Sequence, residues 1–297
     1  MRKGLLVIGL LLFLIGCRKE EKKAPIPAYL SIPAIRMKTD LATEGTASQR
    51  ITTAWVRLDG EYLGAFDLPA EFPVIAEGNH RVEVFPGINL NGQSAFRFEN
   101  EFWVKYEEVI NFEKEKVHYL NASQDSLPFT EYNPLANVVI IEDFDGTGLN
   151  LEATSKSDTS LLITTDSAEI FRDPSINEPN KASGKIVLSK DTTIFELATI
   201  QTYALPKGGR NVLVELHYKN DIQFTVGVFA NLPGQVIQAP VVTVFPSEEW
   251  NKIYINLVSE VSGYPNATDF KIFIGGVTRE GASQPKLYFD NIKLIYY

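Results

Sequence analysis

Side chains able to do acid–base or nucleophilic chemistry are few in this chain of 297 residues, and their spacing is poor for catalysis. The three histidines, His80, His118 and His217, each sit inside an alternating apolar–polar run, where a ring packs against a sheet rather than acting as a base. The single cysteine, Cys17, has no partner for an intramolecular disulfide. Serine and threonine are plentiful, but no Gly-x-Ser-x-Gly turn lifts one out as a nucleophile. Zinc needs His or Cys at short spacings, and the sequence has no such cluster. A glycosidase needs two carboxylates about 5–10 Å apart in a cleft. With 37 acidic residues such a pair is not excluded, yet nothing singles one out. The chemistry these residues suit is binding. Aromatic rings at loops and strand edges can carry the apolar faces of sugars, with amides and carboxylates taking the hydroxyls. Tyr203, Phe229 and Tyr264 are the candidate contacts, with Asn231 beside the Pro233-Gly234 turn. Trp250 opens a strand and is expected in the core, and Trp55 and Trp103 read as packing.

The elements that must position these residues are strands. Aromatics make up 11% of the chain, and 20 glycines with 16 prolines supply many turns, whereas no helical period of useful length follows the N-terminus. Residues 51–58 alternate and stop at Asp59-Gly60, a hairpin dipeptide that residues 62–66 answer. In 80–85, His80, Val82 and Val84 share one face, and Pro86-Gly87 is expected to close the strand. Residues 122–137 are polar and proline-punctuated and read as a linker. A second strand series opens with the apolar run 138–141. It continues at 185–189, 213–218, 223–229, 241–245, 252–257, 270–274 and 287–296, a spacing that predicts a sandwich. The expected fold class is therefore all-β: a small N-terminal β-sandwich over 29–121, the linker, and a C-terminal β-sandwich over 138–297.

The first residues concern location. Arg2 and Lys3 precede an apolar run over 5–15, about half of the roughly 20 residues that a spanning helix needs, so 1–16 reads as a signal peptide. The run ends in Leu14-Ile15-Gly16-Cys17, which resembles a bacterial lipobox and implies lipidation at Cys17. Residues 17–28 then form a charged, proline-containing tether in which Lys19, Glu20 and Glu21 resemble the surface-export signal of Bacteroidota lipoproteins. The formal charge of −9 falls to −11 when Arg2 and Lys3 leave, which argues against nucleic-acid partners.

Residues 51–90, with Val-Arg-Leu-Asp-Gly-Glu-Tyr-Leu-Gly and the later Gly-Asn-His-Arg-Val-Glu-Val, resemble the small β-domains called PEGA-like, which serve as spacers or interaction modules. The closing Tyr-Phe-Asp-Asn-Ile-Lys-Leu of 288–294, with Glu142-Asp143-Phe144-Asp145, Glu215 to Asn220 and Trp250 to Ile255, resembles jelly rolls of the galactose-binding and carbohydrate-binding-module kind. That resemblance implies a structural calcium ion held by Glu142, Asp143, Asp145 and Asp290, with backbone carbonyls completing its shell. Asp125-Ser126-Leu127, Asp166-Ser167-Ala168 and Asp191-Thr192-Thr193 resemble O-glycosylation acceptors, at Ser126, Ser167 and Thr192. The whole layout is similar to that of uncharacterised Bacteroidota lipoproteins. It implies a non-enzymatic lipoprotein anchored in the outer membrane and exposed at the cell surface. Its role would be that of an interaction or accessory subunit beside an outer-membrane β-barrel or another lipoprotein, with polysaccharide capture by the jelly roll as the alternative.

Overall fold

A chain whose apolar residues fall at every second position can hide them only in sheets that stack face to face. The computed structural model describes residues 24–122, 126–176, 179–278 and 284–297. The signal peptide, Cys17 and the expected export residues Lys19, Glu20 and Glu21 lie outside the described residues. The N-terminal strands are β1 (Ala28–Ile32), β2 (Arg36–Met37), β3 (Thr53–Leu58), β4 (Glu61–Asp67), β5 (Ala70–Val74), β6 (Gly78–Asn89), β7 (Arg97–Glu99), β8 (Tyr106–Phe112), β9 (Val117–Tyr119) and β10 (Phe129–Thr130). There follow β11 (Asn137–Glu142), β12 (Leu151–Ala153), β13 (Leu162–Thr164), β14 (Ser183–Val187), β15 (Ile194–Thr199) and β16 (Val212–Asn220). The chain closes with β17 (Phe224–Leu232), β18 (Gln235–Val244), β19 (Ser247–Asn256), the short helix α1 (Val258–Gly263), β20 (Asp269–Val277) and β21 (Lys286–Tyr296). The fold is all-β, a small sandwich followed by a β-sandwich of jelly-roll type.

In the first sandwich the sheet β4-β3-β6-β7, with β8 also on β6, faces the sheet β5-β1-β9. Leu30, Ile32, Val56, Val82, Val84 and Phe112 fill the space between them. Asp59 and Gly60 both have positive φ, as a type I′ turn requires, so the expected hairpin forms between β3 and β4. The expected stop at Pro86-Gly87 does not occur, because β6 runs on to Asn89. A Cβ at Gly87 would stand 2.2 Å from Thr53 Oγ1, so this glycine serves close approach of β3 rather than a turn.

In the jelly roll, β21 is central to one sheet. It pairs with β16 on one edge, and with β14 and β11 in succession on the other; β19 lies beyond β16. The second sheet runs β12-β15-β20-β17-β18. Val214, Leu216, Val226, Val228, Ile272, Ile274, Phe289 and Leu294 belong to the core between the sheets. The run 138–141 is less buried than expected, with only Ile141 fully enclosed, because β11 pairs on one edge alone.

Within the expected linker, residues 128–132 pack against the N-terminal sandwich instead. β10 pairs with β2, Tyr132 bridges to Trp103, and Thr130 and Tyr132 are buried. Met37, Ile88, Phe102, Trp103 and Tyr132 pack with Leu213, Tyr254 and Ile295 of the jelly roll in a core shared by the two sandwiches. The N-terminal sandwich thus covers the outer face of the β21 sheet and leaves the other sheet open.

Candidate functional site

On the open sheet, the side chains turned away from the core fall into rows set by strand register. Glu196, Gly275, Thr225 and Thr243 form one row, Ala198, Phe273, Gly227 and Pro240 the next, and Lys271, Phe229 and Gln238 a third. Neighbouring strands lie about 4.8 Å apart, so on a flat sheet β15 and β18, with two strands between them, would stand about 14 Å apart. Gln238 Nε2 nevertheless donates to Glu196 Oε2 at 2.6 Å. The sheet therefore curls toward this face and makes it a groove. A bulge between Val226 and Gly227 marks the bend. A Cβ on Gly227 would stand 2.3 Å from Ala239 O and 2.6 Å from the Phe273 ring, so only glycine allows that closure.

The groove holds a cavity of about 420 Å³ lined by Glu196, Thr225, Gln238, Pro240, Phe273 and Gly275, among others. Phe273 is 5.0 Å from Phe229, ring centre to ring centre. Glu196 Oε1 accepts from Thr154 Oγ1 at 2.7 Å, and Lys156 Nζ donates to Gln238 Oε1 at 2.5 Å. An apolar floor with hydrogen-bonding groups along its rim suits a polyhydroxylated ligand. Glu196 is the one carboxylate among the described residues lining the cavity, so the paired acids of a glycosidase are not assembled there.

The covered sheet carries a second constellation. Glu215 and His217 project outward from β16, Trp250, Lys252 and Tyr254 from β19, and Lys293 from β21, while their strand neighbours point into the core. Lys293 faces outward because β21 bulges at Asn291, whose φ is +47°. Glu215 is fully buried. Its Oε1 lies 3.0 Å from Lys252 Nζ and 3.5 Å from Lys293 Nζ, and it accepts from Tyr132 OH at 3.1 Å. Both lysines also reach across the joint, Lys252 to Ser48 O at 2.6 Å and Lys293 to Thr46 O at 3.0 Å. Burial works to raise the Glu215 carboxyl, but the two ammonium groups outweigh it and hold the carboxyl below its usual range.

Burial, reinforced by Lys252 and Lys293, pushes the His217 imidazole well below its ordinary value, so it is neutral at physiological pH. Ser48 Oγ donates to Asp173 Oδ2 at 2.6 Å and lies 3.1 Å from His217 Nε2. The carboxylate thus meets the serine, not the imidazole. A nucleophilic triad needs the reverse order, with the carboxylate on the histidine.

Of the expected ligand contacts, only Phe229 stands on the groove face. Tyr203 pairs through its backbone with Phe270 and belongs to the core between the sheets, so its ring lies away from the groove face. Tyr264, just past α1, is partly buried against the same core. Asn231 is occupied by the Asp269 carboxylate. Trp250, expected in the core, lies on the outward face of β19 beside Phe171, with ring centres 5.5 Å apart.

The expected calcium ligands do not converge. Among the described residues no group of three or more His, Cys, Asp or Glu is placed to hold a metal ion. Each of the four carboxylates is already taken by donors. Glu142 accepts from the amides of Phe144 and Asn150, Asp143 from that of Asp145, and Asp145 from those of Lys181 and Ala182. Asp290 accepts from Asn180 Nδ2 at 2.8 Å, from Ser183 Oγ, and from its neighbour's amide, that of Asn291. The first and last jelly-roll strands are joined by direct pairing instead. Of the expected glycosylation positions, Ser167 is exposed in a turn, Thr192 is half-buried with its hydroxyl 2.8 Å from Ser189 Oγ, and Ser126 accepts from Asn121 Nδ2.

The residues missed by the sequence reading are Glu196, Gln238 and Phe273 in the groove, and Ser48, Asp173, Glu215, Lys252 and Lys293 at the joint. Two signals pointed toward them: glycines inside otherwise good strands at 227 and 275, and ionisable residues inside strongly apolar strands.

No family model and no curated protein matches the chain. Solved structures with some similarity include TmCBM61 in complex with β-1,4-galactotriose, 14% identical over 50% of this chain and 87% of that one, TM-score 0.31. The family 30 carbohydrate-binding module of the cellulosomal cellulase Cel9D-Cel44B of Clostridium thermocellum is 12% identical, over 53% of this chain and 96% of that one, TM-score 0.35. A structure described for carbohydrate-binding modules of the β-sandwich superfamily is 10% identical, over 82% and 85%, TM-score 0.38. These likenesses are too distant to assign a ligand to this chain.

Proposed function

We propose that the protein is a non-catalytic glycan-binding lipoprotein, held on the outer membrane at the cell surface through Cys17, that captures polysaccharide in the groove of the β12-β15-β20-β17-β18 sheet. The curl of that sheet carries the reading. It brings Glu196 and Gln238 together beside Phe229, whose half-buried ring packs on the buried Phe273, and so gives one trough an aromatic edge and a hydrogen-bonding rim. The N-terminal sandwich, PEGA-like in its 51–90 motifs, acts as a spacer that keeps the groove facing outward, since it docks on the other sheet.

Affinity electrophoresis through gels cast with neutral polysaccharides tests the groove. The protein is expected to be retarded by at least one glycan, and Gln238→Ala to weaken that binding about tenfold, the worth of one well-placed hydrogen bond. If no glycan retards it, the interaction-subunit reading takes precedence. That reading is favoured by a cleft of about 450 Å³ at the β4 and β5 edges, where Leu63 and Ile75 are exposed. The anchor has its own test: Cys17→Ala should leave the chain unacylated and move it from the membrane pellet to the supernatant. A variant that stays with membranes through a carbonate wash would refute lipidation at that position.

A further inference from the structure

We propose that a pocket at the joint, separate from the groove, binds an acidic sugar unit through its carboxylate. The pocket measures about 270 Å³ and lies where Ser48 to Arg50 of the N-terminal segment and Phe171 to Pro174 meet the outer faces of β16 and β19. In a chain with a net charge of −9, its walls hold the guanidinium groups of Arg50 and Arg172 against one carboxylate, Asp173, while the charge of Lys252 is taken up by Glu215. Arg50 is held in place by the side chain of Asn251 and by Lys252 O. The Arg172 guanidinium has no hydrogen-bond or ion-pair partner among the described residues, yet it lines the pocket. A fixed and an unengaged guanidinium at one mouth are what a carboxylate needs for charge-assisted hydrogen bonds.

Two buried groups specify more than charge. Asp173 can only accept, so the single Ser48 proton goes to it, and His217 Nε2 must carry the proton that faces Ser48 Oγ. His217 Nδ1 is therefore a bare acceptor. It is buried without a partner, and so is the Trp250 Nε1 donor; both residues line the pocket. Leaving such groups unmatched is unfavourable, and a hydroxyl, being donor and acceptor, satisfies either. The rings of Phe171 and Trp250 give the C–H face of a sugar something to lie on. A carboxylate with neighbouring hydroxyls on a ring, a uronate unit, meets all of these demands, whereas a bare inorganic anion meets only the charge.

The test is titration of the full chain with D-glucuronate, followed by calorimetry and tryptophan fluorescence, with D-glucose and sodium sulfate at matched ionic strength as comparisons. Saturable glucuronate binding is expected, with Arg172→Gln weakening it at least tenfold and Lys114→Gln, an exposed change remote from both the pocket and the groove, leaving it unchanged. Arg172 is exposed, so its replacement does not threaten folding. Absence of saturation, equal affinity in Arg172→Gln, or equal affinity for sulfate or glucose would each overturn the proposal. Arg172 lines this pocket and not the groove, so loss of binding in Arg172→Gln separates the two sites.

Discussion

Glu215→Gln is expected to destabilise the protein by about 3–5 kcal/mol, the usual consequence of removing one partner from a buried ion pair. The substitution keeps the shape and leaves Lys252 and Lys293 facing each other with no countercharge at the centre of the joint. Chemical denaturation of both proteins at neutral pH checks this, and a loss below about 1 kcal/mol would remove the buried ion pair as the explanation. Replacing the cluster as a whole, with Glu215→Leu, Lys252→Met and Lys293→Met together, should recover most of the stability. The two lysines would then no longer hold Thr46 O and Ser48 O, so the recovered variant should show faster amide exchange in 44–50.

The second large effect concerns Asp290, a fully buried carboxyl raised to about 7 by burial, even though Ser183, Asn180 and the Asn291 amide all donate to it. Its folded pKa lies above its unfolded value, so between about pH 4 and pH 7 the folded state holds a proton that the unfolded chain has released. Stability from this group is fully present below pH 4 and is lost as pH rises through 7. About three pKa units correspond to about 4 kcal/mol. Asn is the uncharged stand-in for the protonated acid. Asp290→Asn should therefore match the parent near pH 4 and exceed it by up to about 4 kcal/mol at pH 8, read as the difference between denaturation midpoints. Parallel curves across that range would mean that Asp290 ionises without penalty. The group works against Glu169, which is partly buried but held at about 2 by Lys185, Thr164 and Tyr288. Glu169 contributes above pH 4.5 and is lost as pH falls toward 2. The parent should thus be most stable in mildly acidic solution.

Local chemistry was legible in the sequence, and long-range geometry was not. Asp59-Gly60 announces its hairpin because a type I′ turn depends on two adjacent residues alone. Most jelly-roll strands could be located for a similar reason, since alternation is a property of a short window. The strands β12 and β13, three residues each, are too short to alternate and were missed; β15, six residues long, was missed too, because five of its six positions are buried and it shows no clean alternation. The four carboxylates expected to meet at a calcium ion, near the two chain-end strands of the jelly roll, instead accept from nearby amides and hydroxyls, which a sequence does not reveal. The groove depends on curvature, and curvature arises from how Gly227 lets β18 and Phe273 close over it. Glu215, Lys252 and Lys293 lie 37 to 78 positions apart, and although each is an ionisable residue in an apolar strand, nothing in the sequence shows that the three meet.

The bulge in β21 places two phases in one strand. Up to Asp290 the odd-numbered residues Leu287 and Phe289 enter the jelly-roll core; beyond Asn291 the even-numbered Ile292 and Leu294 do. The segment before the slip pairs with β14 and meets Ser183 at its start, and the segment after it offers Lys293 and Ile295 to the N-terminal sandwich. In a strand of constant phase Lys293 would point inward, and Leu294 would meet Tyr132 in its place. The union of the two sandwiches therefore rests on the residue at 291 tolerating a left-handed backbone, which asparagine and glycine do readily and a β-branched residue does not. One main-chain torsion decides which of two alternating sets of side chains the neighbouring sandwich encounters.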